Sequence, residues 1–402
     1  MSLRPPAGFI RPGYDPLKVP NAPTIGTATG GDAQASVAFT APTNVGGSAV
    51  TAYYAVSNPG RVTATAASSP VSVTGLTNGT AYTFTVWALN TYGPSPYSAA
   101  SGGVTPVAPI GLFFRVGADA RVNTINRITI TTTGNATSFG ALTNTYGYSG
   151  SLSSSTRWIC AGGNNSFGDS YSTILYGGIS TSGTTGSFGD LTLARNNLVG
   201  LANSTRGLFA GGYYSSGSTT TCVIDYVTIA TTGNATSFGN LWTQTRYNGS
   251  CASTTRGIIA GGDASNIIGY VTIGTTGNTT DFGDLTVGRW CLGSCSNSTR
   301  GLFAGGRSST SGYPGVNVID YITIASTGNA TDFGDLTASR GAYGSGGWGL
   351  ASTTRGVFGG AYDFNIIDYV TIASVGNATD FGDLNGISPV GATASSVHGG
   401  LA

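Results

Sequence analysis

One decapeptide is spelled twice in this chain, NSTRGLFAGG at 203–212 and NSTRGLFAGG at 297–306. Near-copies stand at 154–163 (SSTRWICAGG), 253–262 (STTRGIIAGG) and 352–360 (STTRGVFGG). A catalytic string is needed once, whereas a string that recurs is a building element. Phe-Gly recurs alongside it, at Phe139, Phe188, Phe238, Phe282, Phe333 and Phe381, separated by 49, 50, 44, 51 and 48 residues. A period of about 40 to 50 residues holding four short strands is the pattern of a β-propeller. Six markers predict six blades.

The unit 289–336 divides into RWCLGSCS, TRGLFAGG, NVIDYITIAS and NATDFGDLT, read as strands one to four. Strand three carries Val, Ile and Tyr on both pleat faces, which predicts neighbours on both sides. The Gly pair closing strand two allows close backbone passage or positive φ. Gly-Asn in STGNAT predicts a two-residue hairpin turn. Composition agrees with an all-β chain: 65 Gly, no Glu and a single Lys (Lys18) leave little helix-forming material. Counting first strands around the six units requires the last to come from the C-terminus, about 388–396, beside 111–117.

Before the repeats, from Pro20, short alternating stretches such as ASVAFTAP, VTAYYAVS and TAYTFTVWALN are separated by turn residues, as in a β-sandwich. GLTNGTAYTFTVWALNTYGPSPYS resembles the second half of a fibronectin type III domain. The resemblance implies a core Leu76, a tyrosine corner at Tyr82 bonding nearby backbone, and Tyr82, Phe84 and Val86 facing inward. The family's early Trp is missing, with Phe39 the candidate to fill that space. The expected organisation is an extended N-terminal anchor at 1–19, a fibronectin type III-like β-sandwich at 20–106, a linker at 107–110, and a six-bladed β-propeller at 111–402 closed by the C-terminal strand.

A Gly pair at 162–163, 211–212, 261–262, 305–306 and 359–360, and a strand-three Tyr at Tyr176, Tyr226, Tyr270, Tyr321 and Tyr369, resemble kelch repeats. Phe-Gly replaces the strand-four Trp of that family, so the likeness is to a divergent kelch-like group. The first unit departs furthest, with GLFFRVG lacking the Gly pair and Arg127 replacing the Tyr. YVTIATTGNATSFGNL and IASTGNATDFGDLT resemble repeats of tailed-bacteriophage virion proteins, cyanophages especially, and GFIRPGYDPLKVPNAPT resembles their leader segments. That resemblance implies a non-enzymatic virion structural protein of tail fibre, baseplate or head decoration. The N-terminal segment would hold other virion proteins, and the propeller would face a host surface. The alternative is a bacterial adhesin or lectin-type propeller.

Little here suits catalysis. The only His is His398 and there is no Glu, so no triad, cofactor or metal site is expected. Asp281 with Asp284, Asp332 with Asp335, and Asp380 with Asp383 recur with the repeat, as structural residues do. Arg157, Arg206, Arg256, Arg300 and Arg355 recur too. Each is expected to pair with a strand-four Asp or to bond loop carbonyls between blades. A net charge of +1 offers no stripe for nucleic acid, and no apolar run approaches the roughly 20 residues of a membrane helix. The five Cys lack metal-type spacing. NAT, NTT and NST sit at equivalent turns, which favours turn chemistry over glycosylation.

Antiparallel strands put the one-to-two and three-to-four turns at one end of each sheet, and the two-to-three and four-to-one loops at the other. The first set is monotonous and the second varies, so binding is expected on the second. Its aromatics, Tyr171, Tyr213, Tyr214, Tyr313, Tyr362 and Phe364, with small polar neighbours, suit stacking on sugars of a host-surface glycan.

Overall fold

The computed structural model describes residues 18–117, 122–143, 147–165, 167–182, 185–263, 265–308, 314–341, 348–361, 364–386 and 390–401. Nearly all of the expected anchor at 1–19 lies outside them. The protein is all-β, built from many small antiparallel sheets. Among the described residues the only helical pieces are two 3-10 turns, Ser215–Gly217 and Gly399–Leu401. Two compact units divide the chain, Met1–Ala108 and Pro109–Ala402.

In the first unit, β1 (Thr24–Gly31), β2 (Gln34–Thr40) and β5 (Val71–Thr74) form one sheet. β4 (Thr63–Ala66), β3 (Ala52–Asn58), β6 (Thr83–Asn90) and β7 (Gly93–Pro94) form the other. Every second residue of β2 and β6 is buried, so Val37, Phe39, Phe84 and Val86 join one core with Leu76 and Tyr82. The Tyr82 hydroxyl accepts the Thr77 N–H at 3.0 Å, and Phe39 packs on Tyr53 at 4.6 Å between ring centres. Beside β6 runs a serine ladder. Ser95, Ser98 and Ser101 accept the N–H groups of Ala88, Val86 and Phe84 on their hydroxyls. Their own N–H groups go back to the same three residues' carbonyls. The edge of β6 is thereby satisfied without a regular strand.

The second unit holds six four-stranded antiparallel sheets, one per sequence repeat. The fifth runs Gly293–Ser296, Arg300–Ala304, Val316–Thr323, Thr331–Arg340, in that order. The first is assembled from both ends of the unit. Val390–Ser395 pairs antiparallel beside Ile110–Gly117, with Ser395 opposite Gly111. Third strands are buried on both faces: Ile319 joins apolar residues of repeats six and one, while Ile322 and Ile324 join those of repeat four. Each apolar cluster therefore lies between sheets, which is why these strands read as unbroken Val and Ile.

Successive sheets are fastened at their outer edges by backbone. Among the described residues, Phe-Gly carbonyls accept the N–H of the next repeat's turn glycine: Phe188 from Gly233, Phe238 from Gly277, Phe282 from Gly328 and Phe333 from Gly376. Phe381 accepts in the same way from Gly134, 2.8 Å away in the first repeat. The neighbouring Asn is an acceptor too, Asn329 Oδ1 taking the Asp284 N–H at 3.0 Å, with the same bond in four other repeats. The Gly-Asn turn is thus no two-residue hairpin. It is a longer connection, between Thr323 and Thr331 in repeat five, whose polar groups are spent on the preceding sheet. Glycine is needed on the strand-four side, because a Cβ on Gly334 would lie 2.6 Å from the Gly376 backbone, at a φ of 139°. Asn in the NAT triplets has this structural task, consistent with turn chemistry.

First strands converge. Each packs beside the next, and Val390–Ser395 packs beside both Gly349–Ala351 and Gly150–Ser153. The approach admits only small residues at two levels, Ser151, Gly200, Ser250, Ser294, Gly349 and Thr393 at one of them. Hydroxyls zip the strands together: Ser151 Oγ donates to the Thr393 carbonyl at 2.6 Å, and Thr393 Oγ1 to the Gly349 carbonyl at 2.6 Å. Deleting residues 385–402 removes the strand that completes the first sheet. Calorimetry should then show a melting temperature lowered by more than about 10 °C, or aggregation from the bared edge. An unchanged melt contradicts the pairing.

Candidate functional site

The recurring arginines go to carbonyls and not to strand-four Asp. Nη1 of Arg157, Arg206, Arg256 and Arg300 donates to Ile229, Ile273, Ile324 and Ile372 of the following repeat, at 2.7 to 3.0 Å. Arg355 donates at 3.0 Å to Ile130 of the first. Each guanidinium also lies over its own repeat's strand-three Tyr, at 4.3 to 4.5 Å from the ring centre. That Tyr meets its own Phe-Gly ring edge-on, as Tyr321 meets Phe333 at 5.9 Å. These residues are latches between sheets. Phe139 is likewise buried, in the cluster joining repeats one and two.

A second set of arginines, which the sequence reading passed over, is buried outright. Arg195, Arg289 and Arg340 pair with Asp225, Asp320 and Asp368 at 2.5 to 2.9 Å, with no side-chain exposure on either partner. Thr192, Thr286 and Thr337 hold the same carboxylates through N–H and hydroxyl. Burial pushes the guanidiniums down from their ordinary value, and the Asp charges push back up. The available signal was Leu-Thr-x-x-Arg before strand one with Ile-Asp-Tyr in strand three. The Gly pair also needs correcting in the last repeat. Gly359 pairs with Ile367 as Ala304 pairs with Ile319, so it is strand, and only Gly360, at φ 78°, matches the first turn glycine. A Cβ on Gly359 would strike the Phe113 ring at 2.6 Å.

Where they converge, the first strands and His398 line a cavity of about 80 Å³. Residues 398–400 sit beside the one-to-two turns, Gly399 against the Ala252 and Asn297 carbonyls and Gly400 against that of Ala202. His398 accepts the Gly400 N–H on Nδ1 and faces the Ser153 carbonyl with Nε2 at 2.9 Å. Nδ1 being the acceptor, Nε2 carries the proton of a neutral ring. Burial holds its pKa below the ordinary value. At the opposite end, Tyr148, Asn197, Tyr247 and Cys291 all take positive φ, between 56° and 63°. They are chained by backbone bonds: Asn197 N–H to Tyr148, Tyr247 N–H to Asn197, Cys291 N–H to Tyr247. Non-glycine residues in this conformation are strained, and here the strain is repeated around one rim.

Beside that rim lies a ladder of cations and rings drawn from three repeats. The Arg246 guanidinium lies over Tyr213 at 5.0 Å and over Tyr247 at 4.7 Å. Tyr247 meets Trp290 at 5.0 Å, and Arg307 lies over Trp290 at 5.8 Å. Asp263 touches Arg246 Nε at 3.4 Å, both side chains about one-third exposed. Burial, first among the causes, pushes the Tyr247 phenol up to about 12, so it stays a neutral hydroxyl. Of the described aromatics expected to bind, Tyr213 belongs to this ladder. Tyr214 pairs in the short hairpin Tyr213–Tyr214 with Thr219–Thr220 and covers Gly217. Tyr171 is half-buried against the cluster of repeats one and two. Tyr313 and Tyr362 lie outside the described residues, and Phe364 opens a third strand. Phe167 was not singled out, yet it is 88% exposed. Its loop is stiffened by Asn165 Oδ1, which accepts the Phe167 and Asp169 N–H groups.

Among the described residues no group of three or more His, Cys or Asp could hold a metal ion. Cys160, Cys251 and Cys295 are buried with their thiols pushed up from the ordinary value, which suits packing and not reactivity. No protein-family model matches the chain, and no curated protein matches it.

Asp320→Ala strands Arg289 as a buried uncompensated charge and should cost about 3–5 kcal/mol in denaturant unfolding. The exposed Asp281→Ala should change stability by less than about 0.5 kcal/mol. For His398 the folded pKa is depressed, so the unfolded chain binds more protons as pH falls through the ordinary imidazole value. Stability is complete above that value and declines below it. His398→Asn should flatten the decline in melting temperature between about pH 7 and pH 5.

Proposed function

We propose that the first unit is a fibronectin type III-like sandwich and the second a six-bladed, kelch-like propeller, together serving as a non-enzymatic phage virion protein for host-surface attachment. For the propeller, support comes from the cyclic order of the fastenings. Phe381 to Gly134, Arg355 to Ile130 and Ser151 to Thr393 repeat, between last and first sheets, the bonds found between neighbours. For the sandwich, support comes from the two-sheet core and the Tyr82 hydroxyl bonded to Thr77.

The observation that carries attachment is the contrast between the two ends of the repeats. One end is spent on uniform turns bonded to neighbouring sheets. The other presents Phe167 and the half-exposed ladder of Tyr213, Arg246, Tyr247, Trp290 and Arg307 on loops that differ from repeat to repeat. Variable loops on a fixed scaffold are where recognition resides. Sugar rings stack on such aromatic faces and bond to nearby amides and hydroxyls. The N-terminal segment, carrying Pro5, Pro6, Pro12 and Pro16, is assigned as the tether to other virion proteins, without nucleic acid or membrane insertion.

Mass spectrometry of gradient-purified virions should find this chain, and a chain lacking residues 1–17 should fold yet fail to incorporate. Absence from virions, with the protein recovered on a bacterial surface, would transfer the same binding face to an adhesin or lectin.

A further inference from the structure

Arg246 carries the next step. Two rings pack on its guanidinium, at 5.0 and 4.7 Å. Its Nε is turned to Asp263. Among the described residues its Nη atoms have no hydrogen-bond acceptor. A guanidinium fixed by its faces, with its edge donors unspent, is shaped for a planar anion taken by two parallel bonds. Through Tyr247 the ladder continues to the half-exposed Trp290 ring and to a second cation, Arg307, whose Nε donates to the Gly341 carbonyl. Among the described residues of the ladder and its contacts, two Arg outnumber the one carboxylate, Asp263, so the patch favours an anion.

A bare phosphate or peptide carboxylate would use the cations and leave the rings idle. A sugar ring with a carboxylate uses both, one face on an aromatic ring and the charge on the guanidinium edge. We propose that the Tyr213–Arg246–Tyr247–Trp290–Arg307 ladder is a subsite for the uronic-acid residue of an acidic surface polysaccharide. This inference rests on the attachment reading and names the chemistry that reading leaves open.

The test is isothermal titration of the full chain with tetragalacturonate and with its methyl ester, which keeps the rings and removes the charge. The acid should bind at least about tenfold tighter than the ester, and its affinity should fall as salt rises from about 50 to 500 mM. Arg246→Gln should remove about tenfold or more from the acid alone, with Arg246→Lys intermediate because it keeps charge but loses the fork. Trp290→Ala should weaken acid and ester together. Arg307→Gln, on a separate strand, repeats the charge test should Arg246→Gln melt early. Equal binding of acid and ester, or no binding of either, overturns the subsite. If periodate treatment of host cells still abolishes virion adsorption in that case, attachment to glycans stands and only the acidic subsite falls.

Discussion

A four-stranded sheet that is apolar on both faces cannot stand in water. Everything in the second unit follows from the need of each sheet for a neighbour on either side. Ile319 and Ile322, one residue pair apart in a single strand, serve clusters shared with opposite neighbours. Apolar burial at roughly 25 cal/mol per Å² supplies most of the stabilisation but is indifferent to alignment. Direction comes from the polar fastenings. The Phe-Gly carbonyl with its turn glycine, the Asn Oδ1 acceptor and the Arg latch can each be satisfied in one register only. An Arg-to-carbonyl bond contributes about 1.5–3 kcal/mol, small beside the core and large enough to select among alignments.

Repeats that lack a fastening show what it does by how they compensate. Repeats three, five and six hold the Thr, Arg and Asp trio. In repeat four Asp becomes Gly269, Thr becomes Trp242 and Arg becomes Thr245. The Trp242 ring occupies the space, 2.6 Å from where a Gly269 Cβ would be. A buried ion pair is thus exchanged whole for an apolar filling, and no half-pair is left behind, as the cost of a lone buried charge requires. In the first repeat Asn126 stands where repeats three, five and six have Asp, and its Oδ1 takes the Asn385 N–H at 2.8 Å. Ile110 there replaces the latch Arg, and among the described residues the junction of repeats one and two is held by apolar contact, the inner-strand serines and the Thr143 N–H, which donates to Thr185 Oγ1 at 3.2 Å.

The same construction divides labour between the two ends of the sheets. Uniform turns are consumed by sheet-to-sheet bonding, which leaves them no freedom to vary. The far ends are tied by the chained backbone bonds of Tyr148, Asn197, Tyr247 and Cys291 and by the second turn glycines, as where the Gly212 N–H donates to the Thr245 carbonyl and the Gly306 N–H to that of Arg340. Side chains beyond that rim are free to differ, and there Tyr, Trp and Arg of three repeats meet.

The six-fold period, the strand content, the alternation in β2 and β6 and the role of the last strand were legible in the sequence, because each is a local pattern or a count. So was the forked Arg as a bridge, with carbonyls of the neighbouring repeat as one of its two expected acceptors. A carbonyl has no letter of its own, so the sequence did not single out Ile229, Ile273 and Ile324 over the strand-four Asp residues. Gly-Asn was misread for the same reason: a dipeptide that suits a tight turn does not reveal that its N–H and Oδ1 are promised to another sheet. The Arg289–Asp320 pair spans two strands of one repeat, and the Tyr213–Arg246–Tyr247–Trp290–Arg307 ladder spans three repeats. Only the tertiary structure could bring either together, since their members are distant in the chain and meet where curved sheets converge. The sequence determined what each repeat is; the packing of repeats decided which of their side chains remain free to bind.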